Sequence, residues 1–340
     1  MNIQEIEKID KLNMHKVYDK WPEIAKNSFE SQKKTENFEN IEHIVFGGMG
    51  GSGAIGDMFA SILSKTKIHV NVVKGYVLPE TVDSNSLVII VSVSGNTDET
   101  ISLLKSAKKI GTNIIAFSSG GKIQEYCLKN NVNFTLVPKF HSPRATFPSF
   151  LYTILKVLYQ TLKIKKEHII DSFKKLENLQ KKINSSNLTE ENISFQLAKS
   201  IKLIPIIYYP FGLQSASIRF KNSLQENSKM HASSEDIIEA SHNGVVSWER
   251  KAQVIPILIR GTEDHIKTKE RYEILKKFFE ENGIEYKEIF SVEGNILSKL
   301  ITLIYLLDYT TIYKAVLDNI DPSPVSTINY IKEKLEFSKK

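Results

Sequence analysis

Two turns, each directly after an apolar strand, constrain this chain more than any other feature. Residues 47–53 read Gly-Gly-Met-Gly-Gly-Ser-Gly, and residues 94–100 read Ser-Gly-Asn-Thr-Asp-Glu-Thr. Glycine lets a backbone approach a ligand closely, because it has no Cβ atom and adopts positive φ readily. Hydroxyls and the N–H groups at a helix start can donate to a phosphate. The two turns together therefore predict a phosphate cradle.

The glycine run does not fit either common nucleotide motif. Gly48, Gly50 and Gly53 match G-x-G-x-x-G, but the next strand ends in Lys74 and not in the acid that would bind a ribose. A P-loop would need Lys followed by Ser or Thr after its last glycine, whereas Ala-Ile follows here. The alternative is that both turns only connect strand to helix. The hydroxyls of the second turn favour ligand binding.

Charge and composition exclude several partners. The chain has 340 residues, 41% of them hydrophobic, which suffices for two domains with full cores. Lys and Arg (45) exceed Asp and Glu (39) by six, but no basic block suggests nucleic-acid binding. The single Cys127 rules out an intramolecular disulfide and favours a reducing cytoplasm. We expect neither an export signal nor a membrane span.

Apolar runs and helical patterns alternate twice along the chain. This alternation predicts an α/β fold of two domains, each a parallel sheet flanked by helices. We place a first domain at residues 1–160, a helical connection at 161–192 and a second domain at 193–340. A long helical segment is predicted from residue 148 to about residue 182. The predicted strands are 43–46, 69–73, 87–93, 113–117 and 134–137, then 204–209, 253–259 and 286–290.

Three further segments carry concentrated polar chemistry. A predicted helix over 217–230 places Arg219 and Glu226 two turns apart on one face, and this spacing alone leaves a surface ion pair and a functional role equally open. His242 lies in a polar loop at 239–249, which also holds Trp248, expected to be exposed; an isolated histidine is more often structural than catalytic. Residues 321–325, Asp-Pro-Ser-Pro-Val, predict the start of a terminal helix, with the serine as N-cap and proline at the first helical position.

These segments, taken in order, resemble a known family. The chain is similar to the bifunctional phosphoglucose/phosphomannose isomerases, which are built from two sugar-isomerase (SIS) domains of flavodoxin-like fold. The resemblance spans nearly the full length and rests on six segments: 47–57, 92–100, 143–148, 226–229, 241–244 and 321–325. It implies an aldose-ketose isomerase that interconverts glucose 6-phosphate and mannose 6-phosphate with fructose 6-phosphate through a cis-enediol.

The resemblance also implies roles for individual residues. Glu226 matches the base that moves a proton between C1 and C2, and Arg144 matches a cation that stabilises the enediolate. His242 matches the ring-opening acid/base, contributed across a homodimer by the partner chain. Lys332, or its neighbour Lys334, matches a lysine at the ring oxygen. The phosphate-binding positions are matched by Gly51, Ser52, Ser92, Ser94 and Thr97.

No cofactor is implied, and the eight histidines and one cysteine show no paired metal-ligand spacing. Two alternatives belong to other classes. A non-catalytic SIS-domain sugar-phosphate sensor would usually carry a DNA-binding head, and no helix-turn-helix pattern precedes Gly47. The isomerase half of an amidotransferase would need an amino-terminal cysteine, where the chain has Met1-Asn2.

Overall fold

The computed structural model describes residues 1–337 and contains two parallel β-sheets. This confirms the predicted fold class. The strands of the first sheet are β1 (His43–Gly47), β2 (His69–Val73), β3 (Leu87–Ser92), β4 (Asn113–Ser118) and β5 (Asn133–Leu136). Those of the second are β6 (Ile204–Tyr209), β7 (Ser233–Asp236), β8 (Val254–Arg260) and β9 (Lys287–Phe290). Every predicted strand is present, and only β7 was missed.

Both sheets have the same strand order, and that order locates the ligand site. The first runs β2-β1-β3-β4-β5 and the second β7-β6-β8-β9, with all neighbours parallel. In each sheet the chain winds outward in opposite directions from the central pair, which is β1 and β3 or β6 and β8. Ligands of open parallel sheets bind at the carboxyl ends of such a pair. The two polar turns follow β1 and β3.

Helices cover the sheets and connect them. They are α1 (Ile3–Ile9), α2 (Met14–Asp19), α3 (Trp21–Glu30), α4 (Gly50–Leu63), α5 (Asp98–Ile110), α6 (Gly121–Lys129), α7 (Phe147–Val157), α8 (Tyr159–Leu162), α9 (Lys166–Ile183), α10 (Ile193–Ser200), α11 (Gln214–Asn227), α12 (Ile237–Ala240), α13 (Ile266–Glu281), α14 (Ile296–Leu317) and α15 (Ser326–Phe337).

The helical segment expected over 148–182 is present as three helices, because Leu158 ends α7 and Lys163 has φ +51°, a left-handed conformation that ends α8. One helix start was predicted wrongly. The terminal helix begins at Ser326, three residues after the serine expected to cap it. The domain boundaries at 160 and 192 stay a prediction.

One segment has the length and composition of a membrane span, although no span is expected from the sequence. Helix α14 has 22 residues, and its most apolar window has a mean hydropathy of 1.4, which meets the length and composition of a span. It lies inside the fold, however, with 94% of that window buried. A core helix surrounded by other elements needs apolar residues on all its faces. Its composition therefore follows from its central position.

One hydrophobic core links the amino-terminal helices with α7, α9, α11 and α14. At its centre Trp21 stacks on Tyr18 and Tyr305, with ring centroids 4.6 and 5.3 Å apart. All three side chains are fully buried. Offset-stacked aromatic rings contribute about 0.5–1.5 kcal/mol per pair beyond their burial. This core fixes α11 and the segment before α7 relative to each other, and both contribute to the site described next.

Candidate active site

The glycine turn brings helix α4 against the end of β3. A Cβ atom at Gly48 would lie 3.0 Å from the main-chain oxygen of Val91, so a larger residue would push the glycine turn away from β3. Gly50 has φ +52° at the helix start. As a result the Ser52 hydroxyl accepts a hydrogen bond from the Val93 amide at 3.3 Å. The two turns thus form one continuous surface.

The second turn presents hydroxyls beside a helix start. Ser92 Oγ lies 3.3 Å from Thr97 Oγ1 and accepts a hydrogen bond from the Gly95 amide. Ser94 is exposed, and its hydroxyl accepts from the Asn96 amide. Thr97 precedes α5, but its side chain makes no capping hydrogen bond. Hydroxyls and helix N–H groups at one place are the donors that a phosphate requires.

The second sheet carries an acid at the equivalent position. After β8, the Gly261 amide donates to Asp264 Oδ2 at 2.8 Å, so a carboxylate of the chain itself takes this donor. Burial raises the pKa of Asp264. An acid at this turn disfavours a phosphate, in contrast to the hydroxyls of the first sheet.

Arg144 and Glu226 form an ion pair next to the glycine turn. Arg144, in the loop before α7, is 4% exposed, and its guanidinium NH1 lies 2.6 Å from Glu226 Oε2 at the end of α11. Its NH2 donates to the carbonyls of Pro322 and Ser323 at 3.1 and 3.2 Å. A Cβ atom at Gly51 would lie 3.3 Å from the Pro143 carbonyl, so the turn adjoins this loop.

The carboxylate of Glu226 has one oxygen held and one available. Oε2 accepts the hydrogen bond from Arg144, whereas Oε1 makes none with the described residues, and the side chain is 26% exposed. A carboxylate fixed at one oxygen and accessible at the other can take a proton from a bound ligand. The adjacent guanidinium can stabilise negative charge that develops there.

Lys229 and His141 hold the segment that Arg144 contacts. Lys229 Nζ donates to the carbonyls of Glu226 and Pro324 at 2.6 and 2.7 Å. Burial, with help from the nearby Arg144 charge, lowers its pKa. His141 Nε2 lies 3.3 Å from Ser323 Oγ, and burial lowers the pKa of its imidazole. These contacts fix residues 322–324 beside the ion pair.

His242 and Lys332 are not brought to this pair. Both side chains are exposed, and neither makes a side-chain hydrogen bond or ion pair with the described residues. His242 lies between α12 and a 3₁₀ helix, Gly244–Glu249. The expectation that Trp248 is exposed was wrong: it is 8% exposed, and its Nε1 donates to Tyr208 Oη at 2.8 Å.

The surface ion pair that the spacing of Arg219 and Glu226 left open is not formed. Arg219 is buried and pairs with Asp308 on α14, with NH2 2.6 Å from Oδ2, while Glu226 pairs with Arg144. Sequence reasoning did not single out Asp308. A signal was present, because Asp308 is a carboxylate in the middle of a long apolar helix, and a buried charge requires a partner.

Among residues 1–337, no group of three or more His, Cys, Asp or Glu side chains could hold a metal ion. The candidate site consists of four parts: the glycine turn after β1, the hydroxyl-bearing turn after β3, the Arg144–Glu226 ion pair and the segment at 322–324.

Comparison with known proteins identifies the family. Models of the SIS domain and of the bacterial phospho-glucose isomerase C-terminal SIS domain match residues 37–140 and 190–335. A bifunctional phosphoglucose/phosphomannose isomerase from Caldicellulosiruptor bescii is 33% identical over 81% of this chain and 83% of its own length. The chain belongs to the bifunctional phosphoglucose/phosphomannose isomerase family. A second member of this family, from Aquifex aeolicus, is 32% identical over 78% of this chain and 81% of its own.

Solved structures confirm the SIS fold of this family member. A hypothetical protein from Thermus thermophilus matches with a TM-score of 0.72 at 14% identity, over 98% of this chain and 89% of its own. The C-terminal domain of glucosamine-fructose-6-phosphate aminotransferase from Francisella tularensis matches with a TM-score of 0.67 at 15% identity, over 91% and 96%. The resemblance inferred from six short segments is thereby confirmed for both family and fold.

Proposed function

We propose that the protein interconverts glucose 6-phosphate and mannose 6-phosphate with fructose 6-phosphate. The observation that carries this proposal is the Arg144–Glu226 ion pair, 2.6 Å long, beside two turns suited to a phosphate. It supplies a base and a positive charge in one place, which proton transfer next to a carbonyl requires. The activity for which both relatives are named agrees with this chemistry.

The phosphate is proposed to bind the turns after β1 and β3. Ser52, Ser92, Ser94 and Thr97, with the Gly51 backbone, would donate to its oxygens. This end of the substrate does not react, so the binding energy here places C1 and C2 near Glu226.

Glu226 is proposed to carry one proton between two carbons. Its carboxylate takes the proton from C2 of the open-chain aldose, the C–H electron pair forms the C1=C2 bond, and the carbonyl oxygen gains the negative charge. Arg144 stabilises that charge. Transfer of the O2 proton to O1 and return of the carried proton to C1 then give the ketose, in which O2 is the carbonyl oxygen. The reaction has no net oxidation, so it needs no external oxidant or reductant.

The same intermediate accounts for two epimers. The cis-enediol has no stereocentre at C2, so proton return to either face of C2 gives glucose 6-phosphate or mannose 6-phosphate. One base and one phosphate site then serve both sugars.

His242 is proposed to act as acid/base in opening the sugar ring, and Lys332 to assist at the ring oxygen. In a homodimer, His242 would be contributed by the partner chain. The exposed position of His242 supports this, because its side chain has no partner among residues 1–337. A two-fold interface would create two equivalent sites, each built from both chains.

We also propose a cytoplasmic location, in keeping with the single Cys127, which is buried and has a pKa raised by that burial to about 11.

The proposal is tested by incubating the purified protein, treated with EDTA, with each 6-phosphate and measuring fructose 6-phosphate. We expect both sugars to be converted. Conversion of glucose 6-phosphate alone would reduce the assignment to a single-substrate isomerase. No conversion of either would contradict it.

A further inference from the structure

A buried ion pair lies directly behind Arg144. Asp308 on α14 is fully buried, and Arg219 on α11 is 3% exposed. Arg219 Nε and NH2 both donate to Asp308 Oδ2, at 3.0 and 2.6 Å. Ser223 donates to the other carboxylate oxygen at 2.7 Å, and Tyr18 to Oδ2 at 3.2 Å. The carboxylate is thus held by three side chains.

Arg219 also reaches the main chain of the active-site loop. Its NH2 donates to the carbonyl of Arg144 at 2.9 Å. Its guanidinium lies over the ring of Phe147, 4.0 Å from the centroid, at the start of α7. Trp21 Nε1 donates to the next carbonyl, that of Ala145, at 3.0 Å. The loop is therefore fixed on its buried side by side chains that are almost completely buried.

Helix α11 holds Arg144 at two points. Arg219 binds the Arg144 carbonyl, and Glu226, two helical turns further along, binds the Arg144 guanidinium. Both contacts come from one rigid element, so the distance between the Glu226 carboxylate and the guanidinium is set by how the loop sits on the helix. Ser223, between them in sequence, anchors the same helix to Asp308.

Stability alone does not account for such a pair. Removing two charges from water costs several kcal/mol per ion, and well-packed apolar residues of similar volume are often as stable or more so. A planar guanidinium that spans a carboxylate and a carbonyl does supply fixed geometry. Geometry matters here because displacement of a catalytic group by about 1 Å can cost about 100-fold in rate.

From this geometry we infer that Arg219 and Asp308 are positioning residues, which set the orientation of Arg144 toward Glu226 and the substrate. The inference rests on the proposed isomerase function for its kinetic consequence. Its structural consequence, the placement of Arg144, does not depend on any activity.

The informative substitution is Arg219→Lys. A lysine ammonium can neutralise Asp308, but it cannot span the carboxylate and the Arg144 carbonyl as the planar fork does. We expect kcat to fall by about 10- to 100-fold with little change in KM, since phosphate binding is left intact. In an Arg144→Lys background, the same substitution should change kcat by less than about twofold, because residues that act through one another are not additive.

A crystal structure of Arg219→Lys separates failure of this inference from failure of the proposed function. We expect the guanidinium of Arg144 to move away from Glu226. An unmoved pair, or kcat losses that add in the double variant, would overturn the inference. A wild-type protein without isomerase activity would refute the function alone, and the crystal structure would still decide the positioning claim.

Two further variants guard against loss of folding: the first is a stability control, and the second replaces Arg219→Lys if that variant does not fold. Tyr313→Phe removes buried hydrogen bonds from α14 to the carbonyls of Ile183 and Asn184, and should lower the melting temperature without changing kcat. If Arg219→Lys does not fold, Ser223→Ala takes its place, and its kcat is measured in the wild-type and Arg144→Lys backgrounds. This substitution removes one hydrogen bond from Asp308. We expect it to lower kcat in the wild-type background and not in Arg144→Lys. Equal losses in both backgrounds would overturn the inference.

Discussion

Replacing Glu226 with glutamine is expected to lower kcat by about 100- to 10,000-fold, the usual contribution of a positioned acid/base. Glutamine has nearly the same shape, and its amide oxygen can still accept the hydrogen bond from Arg144, so the fold should persist. It cannot take a proton from carbon, however. Steady-state kinetics with both 6-phosphates, with melting temperatures as a check on folding, measure this effect.

The matched control changes the non-reacting end of the substrate. Ser94→Ala combined with Thr97→Ala should raise KM while leaving most of kcat, because these hydroxyls are proposed to hold the phosphate. The two variants should therefore separate chemistry from binding. A Glu226→Gln protein with nearly normal turnover would mean that another residue is the base.

Mixing two inactive variants is expected to restore activity. If His242 acts in the partner's site, a mixed dimer of Glu226→Gln and His242→Ala contains one site with both residues intact. Random exchange makes half of the dimers mixed, so about a quarter of wild-type activity should return. The measurement is the isomerase rate after subunit exchange, compared with each variant incubated alone.

Exchange itself must be demonstrated, for example by native mass spectrometry of differently tagged chains. If mixed dimers form and no activity returns, His242 acts within its own chain. The surface position of His242 in the single chain would then need a rearrangement of the turn between α12 and the 3₁₀ helix.

The central strands of both sheets could be predicted because burial on two faces leaves a continuous apolar run, as in β3 and β8. β7 was missed for the opposite reason. Its sequence, Ser-Ser-Glu-Asp, is polar, and it pairs on one side only, with β6, at the edge of the second sheet. This strand forms through backbone hydrogen bonds to β6, and its side chains show no pattern that predicts a strand.

Some parts of the candidate site could be predicted from the sequence and others could not. The phosphate turns are local, so their residues follow one another in sequence and could be found there. The ion pairs are not local: Arg144 and Glu226 are 82 positions apart, and Arg219 and Asp308 are 89. Sequence spacing instead left a pair between Arg219 and Glu226 open, since it records a shared helix face and not the elements packed against it.

The burial of Trp248 and the exposure of His242 illustrate the same limit. Both lie in one polar segment, and nothing in its composition distinguishes the side chain that packs against Tyr208 from the one that faces solvent. The role of His242 came from the family resemblance, and assembly decides whether it reaches a site.

The most direct test of a single cofactor-free enediol site is proton NMR of mannose 6-phosphate in D₂O with the EDTA-treated protein. The account predicts that fructose 6-phosphate and then glucose 6-phosphate appear, with deuterium at the carbons that exchange a proton with Glu226. Appearance of products without any deuterium after many turnovers would contradict proton transfer through an enediol. Failure of glucose 6-phosphate to appear would contradict a site shared by both sugars.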